Sequence, residues 1–193
     1  EDLPAAQVPS VAEDSAGELL FVWLAERIAA GERLRDLVAR RYSSAGVARD
    51  AEPLVLESNV GVSQPIRPSV AGLASGWAVT WRSRRVESGA SASEGGIALR
   101  LVPRTGMTLG PVRQVNTTTL LDQLDPRVAA LSTGMVVVWS DFSREVSTGD
   151  LRMRFLNASG ASSSAELGVA VEEDGDQSRP FIVARGVRLR ELP

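Results

Sequence analysis

A chain of 193 residues with neither histidine nor cysteine has few routes to covalent chemistry. Histidine is the commonest general base and metal ligand, and without it a serine–histidine–aspartate arrangement cannot form. Without cysteine there is neither a disulfide framework nor a thiol nucleophile. Carboxylates remain. The densest acidic run, Glu172, Glu173, Asp174 and Asp176, lacks the alternating oxygen-ligand spacing and distal glutamate of a calcium loop. Glycoside hydrolysis needs two carboxyl groups across the scissile bond. The repeat described below puts only Glu13 and Asp14 on an innermost strand, and the other repeat units lack them. Asn116-Thr117-Thr118 and Asn157-Ala158-Ser159 match a glycosylation sequon, but both fall at turns, where asparagine serves the backbone. The expectation is a non-enzyme with no catalytic residue, no metal and no cofactor.

The charges narrow the partners. All 21 basic residues are arginine, and the net charge of −3 is too near neutral for a nucleic-acid footprint. The absence of lysine reads as compositional bias. With 44% apolar residues the chain can build a core, yet no apolar run approaches the roughly 18 to 20 residues that span a bilayer. The chain opens at Glu1, without methionine or a signal-like segment, which predicts a processed form or a piece of something longer.

The elements that would position any site come from an internal repeat. Trp23, Trp81 and Trp139 stand 58 and 58 residues apart, closing the apolar stretches LLFVW, WAVTW and MVVVW. A proline opens each unit (Pro9, Pro68, Pro126), followed by SVA, SVA and RVA, and Pro180 begins a fourth. Glycine marks the turn before each tryptophan strand at Gly17, Gly76 and Gly134, where positive φ is expected. Third strands run to Gly46, Gly106 and Gly160, fourth strands start near Pro53, Pro111 and Ala165, and Gln64, Gln123 and Gln177 close the units. The predicted organisation is 1–8 linker, 9–67, 68–125 and 126–179 as three units, and 180–193 as a partial unit or exchanged strand.

Two places resist this pattern. Residues 18–42 are rich in Ala, Leu, Glu and Arg and also suit an amphipathic helix. The alternation of Leu19, Phe21 and Trp23, in phase with Trp77, Val79, Trp81 and with Met135, Val137, Trp139, favours strands, with a helical turn allowed between Ala25 and Leu34. Aligning the glycines puts Arg41 where Leu101 and Phe155 stand, which suggests a one-residue slip in the first unit. In the third strands apolar residues alternate with Arg100, Arg152 and Arg154, predicting one packed face and one solvent face.

Four strands per unit is the plan of a propeller blade. Gln123 to Trp139 (QLDPRVAALSTGMVVVW) carries the fullest copy of a Q-x-x-P-x-V-A-x-L-x-x-G-x-x-V-x-W pattern, and it resembles the blade-like repeats of large bacterial surface and secreted proteins. That resemblance covers about Pro9 to Pro193 and implies an all-β, propeller-like fold, with another antiparallel sandwich or repeat array as the alternative. It also implies a binding or scaffolding role outside the cytoplasm, with no catalytic residues to carry over.

The loops between second and third strands differ between units and are the expected binding surface, with Arg82, Arg84, Arg85, Asp141, Phe142 and Arg144 as candidates. Trp23, Trp81, Trp139, Gln64, Gln123 and Gln177 are read as structural. Trp77 has Leu19 and Met135 at its place in the other units; a sugar-stacking role competes with core packing, and its alternation favours the core. Three units and a strand do not close a ring. The expected partner is therefore another protein or a second copy that completes the propeller, the last strand crossing to a neighbouring unit. A glycan-binding module is the alternative and a glycosidase a more distant one.

Overall fold

The computed structural model describes residues 9–60, 66–87, 95–144, 149–169 and 177–183. Among them there is no helix, and the strands form three four-stranded antiparallel sheets, each a meander in chain order. The first sheet takes β1 (Ser10–Glu13), β2 (Leu19–Ala29), β3 (Glu32–Tyr42) and β4 (Leu54–Glu57). The second takes β5 (Ser69–Leu73), β6 (Gly76–Ser83), β7 (Gly96–Pro103) and β8 (Arg113–Gln114). The third takes β9 (Gln123–Leu131), β10 (Gly134–Asp141), β11 (Asp150–Asn157) and β12 (Leu167–Gly168).

Registers correspond from sheet to sheet. Phe21 pairs with Arg40, Val79 with Arg100 and Val137 with Arg154; two residues on, Trp23 faces Val38, Trp81 faces Ala98 and Trp139 faces Arg152. Arg41 therefore stands at the register of Leu101 and Phe155 with no slip. The glycine alignment is correct as it stands, and an arginine simply occupies a position that is apolar in the other sheets.

Period-two alternation places the core between the sheets. Leu20, Val22, Leu24, Leu37 and Ala39 on one face of the first sheet pack with Trp77, Val79 and Trp81 of the second. The other face of the second sheet, with Ala78, Ile97 and Leu99, packs with Met135, Val137 and Trp139 of the third. The second sheet is thus covered on both sides, and every residue of β6 is buried; β10 is buried throughout as well, with Ile182 against its other face.

This burial settles the helix–strand conflict. Leu20, Val22 and Leu24 bury as an alternating row, and such tertiary contact overrides the helix propensity of the Ala, Leu, Glu and Arg around them. No helical turn forms between Ala25 and Leu34. The two strands continue to Ala29 and Glu32 and join through Ala30 (φ 53°) and Gly31 (φ 82°). Two successive left-handed residues make the hairpin turn whose twist suits the strands.

The glycines before the tryptophan strands are not all equivalent. A Cβ on Gly76, whose φ is 143°, would lie 2.2 Å from the Val102 carbonyl oxygen, and one on Gly134 would lie 2.1 Å from that of Leu156. Gly17 is different. Leu19 corresponds in register to Trp77, so Glu18 fills the Gly76 position, and Gly17 belongs to a longer turn organised by Asp14. The Asp14 carboxylate accepts the backbone N–H groups of Ala16 (2.9 Å) and Glu18 (3.1 Å).

Candidate functional site

The loop-end candidates divide into two sets. Arg82 and Asp141 are the penultimate residue of β6 and the last of β10, not loop residues, and both are buried. Arg82 donates to Asp122 at 2.7 Å. Asp141 accepts from the Ser143 backbone (2.9 Å) and hydroxyl (3.0 Å) and lies 3.3 Å from Arg152. The loop reading is corrected for these two: a charge taken out of water is kept with a partner, and these partners belong to the fold. Arg84, Arg85 and Arg144 are exposed and Phe142 is half-buried, beside Gly149. Arg144 lies 3.6 Å from Asp150.

Beneath the loops runs a buried polar network. Gln123 is fully buried; its amide donates to the Leu120 carbonyl, and its oxygen accepts from Asn116 at 3.3 Å. Asn116 also donates to Glu87 (2.6 Å) and the Thr118 carbonyl and accepts the Ile97 N–H. Its amide is consumed inside the fold, whereas Asn157 is exposed and organises a turn by accepting from Ser159 and Ala161. Gln177 repeats a main-chain contact of Gln123: their N–H groups donate to the Gly149 and Gly95 carbonyls. Gln64 and the acidic run 172–176 lie outside the described residues.

The three repeated indoles differ in cover. Trp81 and Trp139 are completely buried while Trp23 is partly exposed. Trp81 donates its indole N–H to Glu57, which also accepts the Ser83 hydroxyl at 2.8 Å. The Trp139 indole N–H is buried with no hydrogen-bond acceptor among the described residues. Trp77, at 1% exposure, packs in the first core and donates to the Ala12 carbonyl at 3.0 Å, so it offers no free face for a sugar ring.

The acids are likewise engaged. Asp14 accepts Arg104 Nε at 2.6 Å besides its turn contacts. Asp50 holds Arg41 through side-chain bonds and its backbone N–H. Burial raises the Asp50 pKa, but the Arg41 hydrogen bonds and the charges of Arg41 and Arg40 outweigh it and leave it below the ordinary carboxylate value. Among the described residues no group of three or more metal-ligating side chains is assembled.

A feature hidden in the sequence is a repeated arginine bridge. Arg100 donates Nε to the Gly110 carbonyl (2.7 Å) in its own sheet and Nη1 to the Leu56 carbonyl (2.5 Å) of the first sheet. Arg154 does the same one sheet on, with Nε to Ser164 (3.1 Å) and Nη1 to Val115 (2.7 Å) of the second sheet. The expectation of a solvent-facing arginine row is therefore overturned: these arginines turn toward the preceding sheet because its fourth strand presents a carbonyl there. Their sequence signal is the constant six-residue interval in Arg40–Gly46, Arg100–Gly106 and Arg154–Gly160.

Among the described residues, the end sheets each keep one face that no fourth sheet covers. On the first sheet this face carries Val11 (52% exposed), Phe21 (38%) and Val55 (45%), with the Tyr42 ring edge-on to Phe21 at 5.3 Å. On the third sheet it carries Ala129, Val136 and Val138 with Met153 and Phe155, and Ile182 lies against them.

No protein-family model matches the chain, and neither does any curated protein. A solved glycosyl hydrolase from Bacteroides ovatus is similar over 82% of this chain and 69% of that chain, at 9% identity and a TM-score of 0.29. A likeness of that degree assigns neither fold family nor activity. The class defined here is an all-β protein of three stacked four-stranded antiparallel sheets.

Proposed function

We propose that the chain is a non-catalytic, propeller-type module that binds or scaffolds other proteins, in an extracytoplasmic bacterial setting. The observation that carries this reading is the exposed apolar face of the first sheet, with Val11, Phe21 and Val55, of the kind that marks protein–protein contact surfaces. The corresponding registers and the inter-sheet arginine bridges support successive blades. The extracytoplasmic setting rests on the resemblance to surface repeats alone. The engagement of Asp14, Asp50, Glu57 and Asp141 by protein donors favours binding over acid–base catalysis.

The test is to incubate the purified chain with defined protein fractions, a glycan array and a panel of chromogenic glycosides, with Phe21→Arg in parallel. A saturable protein ligand lost in Phe21→Arg is expected. Glycan binding or glycoside hydrolysis, unaffected by Phe21→Arg, would overturn the reading.

A further inference from the structure

The face left open on the first sheet is the counterpart of faces that are buried elsewhere in the same chain. Phe21 occupies the register of Val79 and Val137, which pack against the preceding sheet. Arg40 occupies the register of Arg100 and Arg154. Its Nε bonds the Asp50 carbonyl ten residues on (3.0 Å), as Arg100 bonds Gly110 and Arg154 bonds Ser164. What Arg40 does not do is bridge. Its other hydrogen bond stays in its own sheet, from Nη2 to Ala51, and its guanidinium lies over Tyr42.

The missing acceptor stands at the other end of the molecule. The bridging carbonyls belong to Leu56 and Val115, each one residue past the fourth-strand residue paired with Val38 or Ala98. In the third sheet Arg152 pairs with Gly168, so the equivalent residue is Val169. Its N–H donates to the Leu151 carbonyl, as that of Val115 donates to Ile97. Val169 is 43% exposed.

We propose that the first sheet of one copy docks on the Ile182-covered face of the third sheet of a second copy, Phe21 replacing Ile182 against Val136 and Val138 and Arg40 donating to the Val169 carbonyl. The two interfaces inside the chain are the template, and this one continues them between copies. Two copies closing on each other head to tail bring together six sheets, within the four to eight of closed propellers. The proposal rests on the protein-binding reading above and names its partner. Residues 177–183 already lie where the first strand of an incoming sheet would sit: Gln177 holds the Gly149 carbonyl and Ile182 covers Val136 and Val138. They have no strand partner among the described residues, whereas β1 is paired along its whole length with β2. On docking, residues 177–183 therefore give way to β1, and Ile182 competes with the second copy.

The experiment is sedimentation velocity of the full chain over a concentration series. A particle of two chains is expected, strengthened by Ile182→Ser and weakened about tenfold or more by Arg40→Met, the scale of one charge-assisted hydrogen bond. Phe21→Arg and Met153→Arg are each expected to be monomeric alone and to form a one-to-one complex when mixed, since each keeps the face that the other has lost. Far-UV circular dichroism confirms that both fold. A monomer at every concentration even with Ile182→Ser, or a mixture that stays monomeric, would overturn the proposal. A monomer that still captures a different protein through the Phe21 face would sink this inference and leave the binding reading standing.

Discussion

Replacing Asp50 by alanine should be among the most damaging single changes in this chain, because it strands a buried arginine. The Arg41 and Asp50 side chains are 4% and 1% exposed. The carboxylate takes the Arg41 backbone N–H at 2.9 Å and Nε at about the same distance, and Nη2 closes on it as well. The far side of the guanidinium reaches the second sheet, donating to the Pro103 (2.9 Å) and Gly106 (2.8 Å) carbonyls. Removing the carboxylate keeps those two carbonyls but leaves the charge uncompensated, a loss of about 3–5 kcal/mol. For a chain of this size each kcal/mol lowers Tm by about 2–4 °C, so the drop should be roughly 6–20 °C. Arg41→Met should cost less, since the carboxylate left behind keeps a backbone donor and can take up a proton, and the double variant should cost less than the sum. The pH dependence has a definite sign. The Asp50 pKa is lowered in the folded state, so its contribution is present above the unfolded value of about 3.9 and is lost as pH falls through the folded one. The stability gap between parent and Asp50→Ala should therefore narrow on acidification below about pH 4. Urea unfolding followed by circular dichroism measures both. A loss under about 1 kcal/mol at neutral pH, or a gap that widens on acidification, would mean that the Asp50 carboxylate does not compensate the buried Arg41 charge.

Trp81→Phe should cost about 1.5–3 kcal/mol more than Trp139→Phe in urea unfolding, because only the Trp81 indole has a charged acceptor to lose. Gly134→Ala and Gly76→Ala should each destabilise by about 2 kcal/mol or more, since the new Cβ meets a strand carbonyl, while Gly106→Ala, with nothing near its Cβ, should lose only the backbone strain of about 1 kcal/mol. Arg100→Met should lower the urea midpoint more than Arg40→Met in the isolated monomer, because only Arg100 bridges two sheets.

The sheets were legible in the sequence because their spacing is periodic. Trp23, Trp81 and Trp139 share one register position, and the apolar residues between them alternate as strands must. The turn before β2 was harder to read, since it is longer and capped by the Asp14 carboxylate, which moves Gly17, still left-handed at φ 79°, out of equivalence. The stretch around Ala25 was undecidable from propensity, because the neighbour that selects strand over helix, the Trp77–Trp81 face, lies more than fifty residues away in the chain. The candidate site was least legible. Arg82 and Asp141 look like loop charges, and only three-dimensional contact shows them committed to Asp122 and Arg152. The alternating arginines gave no direction, because sequence does not say which carbonyl a guanidinium will meet; the second sheet buries both faces, so the usual polar-out inference fails there.

Phe21, Val79 and Val137 are equivalent positions, of which only the first lacks a covering sheet among the described residues. The chain has no cysteine, so single Phe21→Cys, Val79→Cys and Val137→Cys variants can be labelled with a thiol reagent under native conditions. With Phe21 38% exposed and both valines at 0%, labelling is expected to be rapid at position 21 of the monomer and to proceed at 79 and 137 only at the rate of unfolding. Comparable rates at all three positions, or protection at 21 with reaction at 79, would contradict that difference in cover.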